Sequence, residues 1–241
     1  CSFIFRSNQI KMQNKTFGIL LYKKKIKDND LYVKFLTRDD HILTGIVYGG
    51  NSKKKNIYQI GYYLNLRLNK KNINNPYIIQ GELRKPLLGV ILEDKYKLQC
   101  ILSIIDILNL AIIEGQSVKN IFQITDNFVN NMLKNKTWIR DYCKWLFDLL
   151  KVIGYEVDYY SNSNKKFFNI DLIQFTNVKK NNTYLFPHEF LSNKVRIQYN
   201  YMEIIFKIFE NIFINNIINK LPPNYINFKN LIIRFLKKNN V

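Results

Sequence analysis

The chain contains 241 residues, with 37 Lys and Arg against 18 Asp and Glu, which gives a formal net charge of +19. Hydrophobic residues make up 47% and aromatic residues 15%, enough for a buried core, so a disordered basic tail is excluded. An excess of positive charge repels itself and favours a polyanionic partner, with nucleic acid first and an anionic membrane surface second. No apolar stretch reaches the roughly 20 residues of a membrane span, so we expect a cytoplasmic protein.

The first third of the chain has the pattern of a small β structure. Runs rich in Ile, Val, Tyr and Phe alternate with turn residues and predict five strands, at residues 16–22, 31–36, 42–48, 59–68 and 77–84. Five short strands within about 70 residues are typical of a closed barrel of the OB or SH3 kind.

Beyond residue 88 the apolar periodicity becomes helical. It predicts helices at residues 97–113, 118–134, from 138 to 153, at 199–220 and at 227–238. Ser117 and Thr137 are expected as N-caps, and Gly154 as the left-handed residue after a helix. The predicted fold class is α+β, with a five-stranded OB barrel at residues 12–88 and an all-helical domain at residues 89–241. Residues 1–11, before Met12, are interpreted as an extension or a mis-assigned start.

Positive charge is concentrated in the predicted barrel. Residues 12–90 hold 15 Lys and Arg against 5 Asp and Glu, whereas residues 91–241 hold 20 against 13. Lys supplies 30 of the 37 cations, and a codon bias toward Lys would act evenly along the chain. The concentration therefore points to the barrel as the contact surface for a polyanion.

The basic residues of the barrel fall mainly in predicted turns, with tyrosines between them. Lysines along a groove contact phosphates and exposed rings stack on bases, so Tyr22, Tyr32, Tyr48, Tyr58, Tyr62 and Tyr63 are candidate stacking residues. The alternative, solvated turn lysines and core tyrosines, stays open. Nucleic-acid contact is predicted for Lys23, Lys24, Lys25, Lys27, Arg38, Lys53, Lys54, Lys55, Arg67, Lys70, Lys71 and Arg84.

Signals for catalysis, metals and cofactors are weak. The three cysteines are isolated and neither histidine has a cysteine nearby, so we expect no zinc site and no disulfide framework. The glycine pair at 49–50 lacks the GxxxxGK[ST] spacing, so we expect a turn and no nucleotide cofactor. We expect a binding protein and no enzyme. A hydrolase or nuclease using Asp39, Asp40 and His41 is a minor alternative.

Several motifs, in order along the chain, resemble the bacterial DNA repair protein family RecO. In the barrel these are FGILL (17–21), DNDLYV (28–33), LTRDD (36–40), GIVYGGNSKKK (45–55) and QIG (59–61). In the helical part they are YCKW (142–145) with the leucine pair at 149–150 and GY at 154–155, and LFPHEFL (185–191). Residues 155–180 contain no cysteine, so the chain resembles the zinc-free branch found among alphaproteobacteria.

The resemblance implies an OB fold, a helical domain and a role as a recombination mediator. Such a protein binds single- and double-stranded DNA, anneals complementary strands and, with RecR, helps load RecA onto gaps coated by single-stranded DNA-binding protein. It would work in the bacterial cytoplasm, at the nucleoid. The helical domain of the family holds the acidic, Phe-ended tail of the coat protein, and candidate residues for its basic rim are Arg140, Lys144 and Lys151. A generic basic OB-fold RNA-binding factor is the alternative.

Overall fold

The computed structural model describes residues 14–52, 54–70, 72, 75–135 and 137–239. Its contacts divide the chain into two compact units, one ending at Leu88 and the other beginning at Gly89. The predicted extension at 1–11 and two candidate site residues, Lys53 and Lys71, lie outside the described residues. Within the described ranges, no helix is both long and apolar enough to cross a membrane.

The first unit is a closed five-stranded barrel with the strand order β1-β2-β3-β5-β4. The strands are β1 Asn14–Lys25, β2 Leu31–Thr37, β3 Ile42–Val47, β4 Tyr63–Asn69 and β5 Tyr77–Lys85. Strand β1 pairs with β4 along its first half and with β2 along its second half, and a bulge at Leu20 and Tyr22 turns it between the two. This closed Greek-key order is an OB fold, so the predicted fold class is confirmed.

The barrel interior is filled by aliphatic side chains, by Phe35 and by one fully buried tyrosine from outside the strands. Tyr58, in the loop between β3 and β4, is fully buried, and its hydroxyl oxygen accepts a 2.7 Å hydrogen bond from the Gly81 amide. A side chain at Gly81 would not fit, because its Cβ would lie 2.7 Å from Leu64 Cδ2 and 2.9 Å from Tyr58 Cε1. The loop before β4 is therefore fastened to the inside of the barrel.

The fourth strand begins four residues later than the sequence predicted. Residues 59–62 belong to the loop, because they form a turn in which the Tyr62 amide donates to the Gln59 carbonyl at 3.0 Å. Gly61 donates to the Leu20 carbonyl at 2.7 Å, and the Leu20 amide donates to the Tyr62 carbonyl at 3.0 Å. The prediction of a strand from residue 59 was therefore wrong at its start.

The second unit consists mainly of helices packed around an aromatic core. Tyr142 lies at the centre of this core, with its ring 4.8 Å from Phe228 and 6.0 Å from Trp145, and its hydroxyl 3.0 Å from Ser103 Oγ. Its partners come from several different helices, so one side chain organises the bundle. Helix α1 Leu87–Ile91 contains the boundary between the units, and the helices that follow are α2 Lys95–Ala111, α3 Ile121–Lys134, α4 Trp138–Val152, α5 His188–Leu191, α6 Tyr199–Asn216 and α7 Pro223–Lys238.

The second unit is not all-helical, which corrects the prediction. A small antiparallel sheet of order β7-β6-β8 lies between α4 and α5 in the chain, with strands β6 Phe167–Asn169, β7 Gln174–Thr176 and β8 Thr183–Leu185. Each strand has three residues, too few for an alternating pattern to be visible in the sequence. The rings of Phe168 and Phe175 are 4.9 Å apart, and Phe186 lies 4.9 Å from Phe175, so aromatic contacts hold this sheet together.

Helix ends follow the predicted signals in part. Gly154 has a φ of 99°, and the amides of Gly154 and Tyr155 donate to the carbonyls of Lys151 and Leu150, which is a Schellman motif and confirms the predicted end of α4. The predicted N-cap at Ser117 was wrong, because α3 begins at Ile121 after a left-handed residue.

The boundaries of the last two helices also differ from the prediction. Helix α6 ends at Asn216, four residues earlier than predicted, and α7 begins at Pro223, four residues earlier than predicted. Proline is favoured at the first helical position because its missing amide has no helical partner there.

Replacement of Tyr58 by Phe tests the fastening of the loop. The change leaves the buried Gly81 amide without its acceptor, so we expect the free energy of unfolding to fall by about 1–3 kcal/mol in urea denaturation. Tyr48→Phe is the matched control, since Tyr48 is 59% exposed and its change should leave stability unaltered. Equal stability of the two variants would show that the hydrogen bond has no structural role.

Candidate nucleic-acid interface

The positive side chains at one end of the barrel come from two segments that the fold holds together. The turn between β1 and β2 is joined to the loop after β3, because the Gly49 amide donates to Asp30 Oδ1 at 2.8 Å. The Asn51 amide also donates to the Asn29 carbonyl oxygen at 2.8 Å. We call the exposed lysines of these two segments and of the adjoining end of β1 the lysine end: Lys24, Lys25, Lys27, Lys54 and Lys55.

Lys23 differs from these lysines because its ammonium group points into the barrel. It donates to the Tyr58 carbonyl at 2.7 Å and to Gln59 Oε1 at 3.0 Å. Burial, and secondarily the nearby charge of Lys55, lower the pKa of Lys23 below its ordinary value. Lys23 therefore fastens β1 to the loop that carries Lys54 and Lys55.

Aromatic rings lie on the outer wall of β1 and β2, between the two ends of the barrel. Tyr22 and Tyr32 meet edge to face with their ring centroids 6.4 Å apart, and Lys24 pairs with Tyr32 in the β1–β2 ladder. We call Tyr22 and Tyr32 the tyrosine face. Tyr48, at the end of β3, is also exposed. Rings that are partly open to solvent beside ammonium groups can stack on nucleic-acid bases.

The remaining candidate tyrosines of the barrel are structural. Tyr58 and Tyr63 are core residues, and Tyr62 is a partly buried residue that packs against the core. The β4–β5 turn carries an exposed lysine, Lys70, whose ammonium lies 4.9 Å from the ring centre of Tyr77. This cation–π contact places Lys70 beside β3, because Tyr77 pairs with Gly45.

A second basic surface lies on the outer wall formed by β1, β4 and β5. Two guanidinium groups lie against the ring of Phe17, Arg84 at 4.0 Å and Arg38 at 5.4 Å from its centre. Lys15 pairs with Arg67 in the β1–β4 ladder, so both project from the same wall. Together these residues line a groove of about 340 Å³, which we call the arginine groove: Lys15, Phe17, Arg38, Arg67 and Arg84.

The arginines of this groove have exposed polar partners. Arg67 donates to Glu82 Oε1 at 3.1 Å, and more than half of each side chain is exposed. Arg84 donates to Asn65 Oδ1 at 3.3 Å. Ion pairs and hydrogen bonds with this exposure are weak, at roughly 0–1 kcal/mol, so a stronger anion can replace them.

The residues of the alternative hydrolytic site, Asp39, Asp40 and His41, lie in the turn between β2 and β3. Asp39 accepts a hydrogen bond from Thr16 Oγ1 at 2.9 Å and lies 3.5 Å from Arg38, so it is held by the groove wall. His41 is exposed at the end of this turn. Over the part of the chain that the structure describes, no group of three or more His, Cys, Asp and Glu side chains is arranged to hold a metal.

The three candidate partner-binding residues lie on one stripe of α4, because separations of four and eleven residues are close to whole helical turns. Arg140 donates to the Val195 carbonyl at 2.8 Å and to Asn193 Oδ1. Lys151 pairs with Glu156 at 2.6 Å, and this contact raises the pKa of Lys151. Lys144 is partly buried on the same stripe. Burial raises the pKa of the nearby Asp148, and the positive charges of Lys151 and Lys144 partly oppose this rise.

Of these three residues, Arg140 lines a pocket of about 440 Å³, which we call the α4 pocket. Apolar side chains form much of its wall, and the ring of Phe190 lies 5.1 Å from the guanidinium of Arg140. Arg140 Nε is buried and has no hydrogen-bond partner in the described ranges. The pocket combines apolar walls with basic residues, and its other lining residues are Thr137, Ile139, Asn193, Lys194, Val195, Arg196 and Ile197.

The sequence analysis did not identify some residues of the arginine groove and of the α4 pocket. Lys15 and Phe17 were absent from the candidates, although strand alternation places them on one side of β1 together, and this signal was available. Lys194 and Arg196 follow α5 in an irregular segment, where no periodicity relates them to α4. Their convergence with Arg140 depends on the tertiary fold.

Comparison with known proteins agrees with this architecture. The family model described as "Recombination protein O N terminal" matches residues 12–87. Over 147 residues the chain is 29% identical to the DNA repair protein RecO of Rickettsia canadensis, covering 61% of each chain. It is 27% identical over 148 residues to the RecO of Rickettsia bellii, again covering 61% of each chain. The matched region thus spans about three fifths of the length of these relatives.

The match and the structure coincide in the barrel. The family model covers β1 through β5, which are the strands that carry the lysine end, the tyrosine face and the arginine groove. The resemblance to RecO that the sequence motifs indicated is therefore confirmed, and its match to the RecO family model lies in this N-terminal OB domain.

Proposed function

We propose that the protein is a non-catalytic mediator of DNA repair and recombination. It binds single- and double-stranded DNA through its OB barrel and anneals complementary strands. With RecR it helps load RecA onto gaps coated by single-stranded DNA-binding protein. The observation that carries this proposal is the joining of two lysine-rich segments beside the partly exposed Tyr22 and Tyr32 rings.

The lysine end supplies the electrostatic part of binding. Its five ammonium groups are exposed, and the hydrogen bonds between the two segments keep them at one end of the barrel. Contact with phosphates releases the counterions that DNA holds, which favours binding at low salt without regard to sequence. A strand whose charge is neutralised in this way also repels a complementary strand less.

The tyrosine face supplies the contact to bases. Base stacking on aromatic rings contributes about 1–3 kcal/mol per base and tolerates any sequence. A strand held by its phosphates and stacked on Tyr22 and Tyr32 keeps its pairing edges free. Such a strand is ready to meet its complement, which is the step that annealing requires.

Replacement of Lys54 and Lys55 by Ala tests the lysine end. We expect affinity for a single-stranded oligonucleotide to fall for all sequences alike. The slope of log K against log salt should decrease in magnitude by about 1.4, at roughly 0.7 for each lost phosphate contact. Fluorescence anisotropy across a salt series measures both quantities.

Lys179→Ala with Lys180→Ala is the matched control, since this adjacent exposed pair lies in the helical unit. An unchanged slope in the Lys54 and Lys55 variant would remove the lysine end from the interface. Tighter binding of structured RNA than of gapped DNA would favour the alternative RNA-binding factor.

We also propose that the α4 pocket receives the acidic, Phe-ended tail of the coat protein. The apolar walls fit an aromatic side chain, and Arg140, Lys194 and Arg196 offer charges to carboxylates.

Replacement of Arg196 by Ala tests the pocket without disturbing the hydrogen bonds that Arg140 makes. We expect affinity for a labelled acidic peptide ending in Phe to fall about fivefold, or about 1 kcal/mol for a partly exposed ion pair. Lys144→Ala is the control on the same stripe and should bind the peptide normally. Weakened binding in Lys144→Ala, with none in Arg196→Ala, would move the docking site along α4.

A further inference from the structure

The arginines of this chain are placed selectively. Lysine is the default cation, with 30 Lys against 7 Arg, yet three of the seven arginines line the arginine groove. Arginine differs from lysine in its planar fork of N–H groups, which matches the oxygens of a phosphate in a bidentate contact. A cluster of Arg38, Arg67 and Arg84 in a lysine-rich protein therefore indicates a site where the geometry of the cation matters.

The ring of Phe17 orients two of these arginines. A guanidinium that lies against an aromatic face is restrained in its plane, while the N–H groups at its edge remain able to donate. Arg84 lies 4.0 Å and Arg38 lies 5.4 Å from the ring centre, and the two come from different segments of the barrel. The Phe17 ring is already covered by guanidinium, so this groove is suited to phosphates and not to base stacking.

The groove is separated from the lysine end by the length of a strand. Strand β2 begins next to the lysine-bearing turn and ends at Thr37, immediately before Arg38. Its seven residues extend over roughly 23 Å at about 3.3 Å per residue. The tyrosine face lies on the wall of β1 and β2, whereas Arg67 and Arg84 project from the wall of β4 and β5.

We propose that the arginine groove is a second phosphate site, and this inference rests on the proposed function. The groove holds the backbone of a second DNA strand while the lysine end and the tyrosine face hold the first. The ligand class is a phosphodiester backbone. Four cations line the groove, and the acids beside them, Glu82 and Asp39, leave an excess of two positive charges. Both acids are exposed partners that phosphates can replace.

This placement explains how one barrel could promote annealing. Two strands in one basic groove would compete for the same lysines, and binding of one would exclude the other. Two sites on adjoining walls hold two strands close together with their charges neutralised separately. The first strand keeps its bases open on the rings, and the second is held by its backbone alone.

The test uses the full chain with Arg67→Ala and Arg84→Ala combined. Three quantities are measured: affinity for one labelled 12-nucleotide strand, energy transfer between two non-complementary labelled strands on the protein, and the rate of annealing of complementary strands. We expect single-strand affinity within about threefold of the unmodified protein, with energy transfer and annealing rate each reduced about tenfold. Arg84→Lys, which keeps the charge but lacks the planar fork, should recover only part of the annealing rate.

The Lys54 and Lys55 variant provides the contrast, since it should lose single-strand affinity and annealing together. Unchanged annealing and energy transfer in the arginine variant would overturn the second site. A loss of single-strand affinity as large as the loss of annealing would also overturn it, because the two surfaces would then form one site. Normal annealing with impaired RecA loading in the presence of RecR would assign the groove to an acidic protein partner instead.

Failure of the unmodified protein to bind or anneal DNA would contradict the proposed function itself.

Discussion

The barrel and its basic surface both depend on the hydrogen bond from the Gly81 amide to the buried Tyr58 hydroxyl. Through it, the long loop between β3 and β4 becomes part of the core and cannot move freely over the surface. Lys23 of β1 also holds this loop, because its ammonium group donates to the Tyr58 carbonyl oxygen. Because Lys54 and Lys55 lie in this loop, their position follows from the packing of Tyr58, and the hydrogen bonds of Gly49 and Asn51 to the β1–β2 turn bring them to the other lysines of the lysine end.

Much of the fold was predictable because its signals are local. The five strands carry alternating apolar residues separated by turn residues, and the end of α4 carries a glycine in the left-handed conformation. The start of β4 was not predictable, because residues 59–62 form a hydrogen-bonded turn although their composition is typical of a strand. The small sheet β6–β8 was missed because three-residue strands carry no periodicity.

The candidate site shows the same division between local and tertiary information. Charge density along the chain identified the barrel and most of its basic residues. It did not distinguish Lys23, whose ammonium is satisfied internally, from the exposed lysines around it. Nor did it separate Arg38 and Arg84, which meet on Phe17, from the lysine end, because that separation depends on barrel closure and on the ladder between β1 and β4.

We propose above all that this barrel brings complementary DNA strands together by neutralising their phosphates. The most direct measurement is the rate at which two complementary oligonucleotides, each coated with single-stranded DNA-binding protein, anneal with and without the protein across a salt series. We expect acceleration at low salt that fades as salt rises, because phosphate contacts are lost to counterions. Tight binding of the protein to these strands with no acceleration at any salt concentration would contradict it.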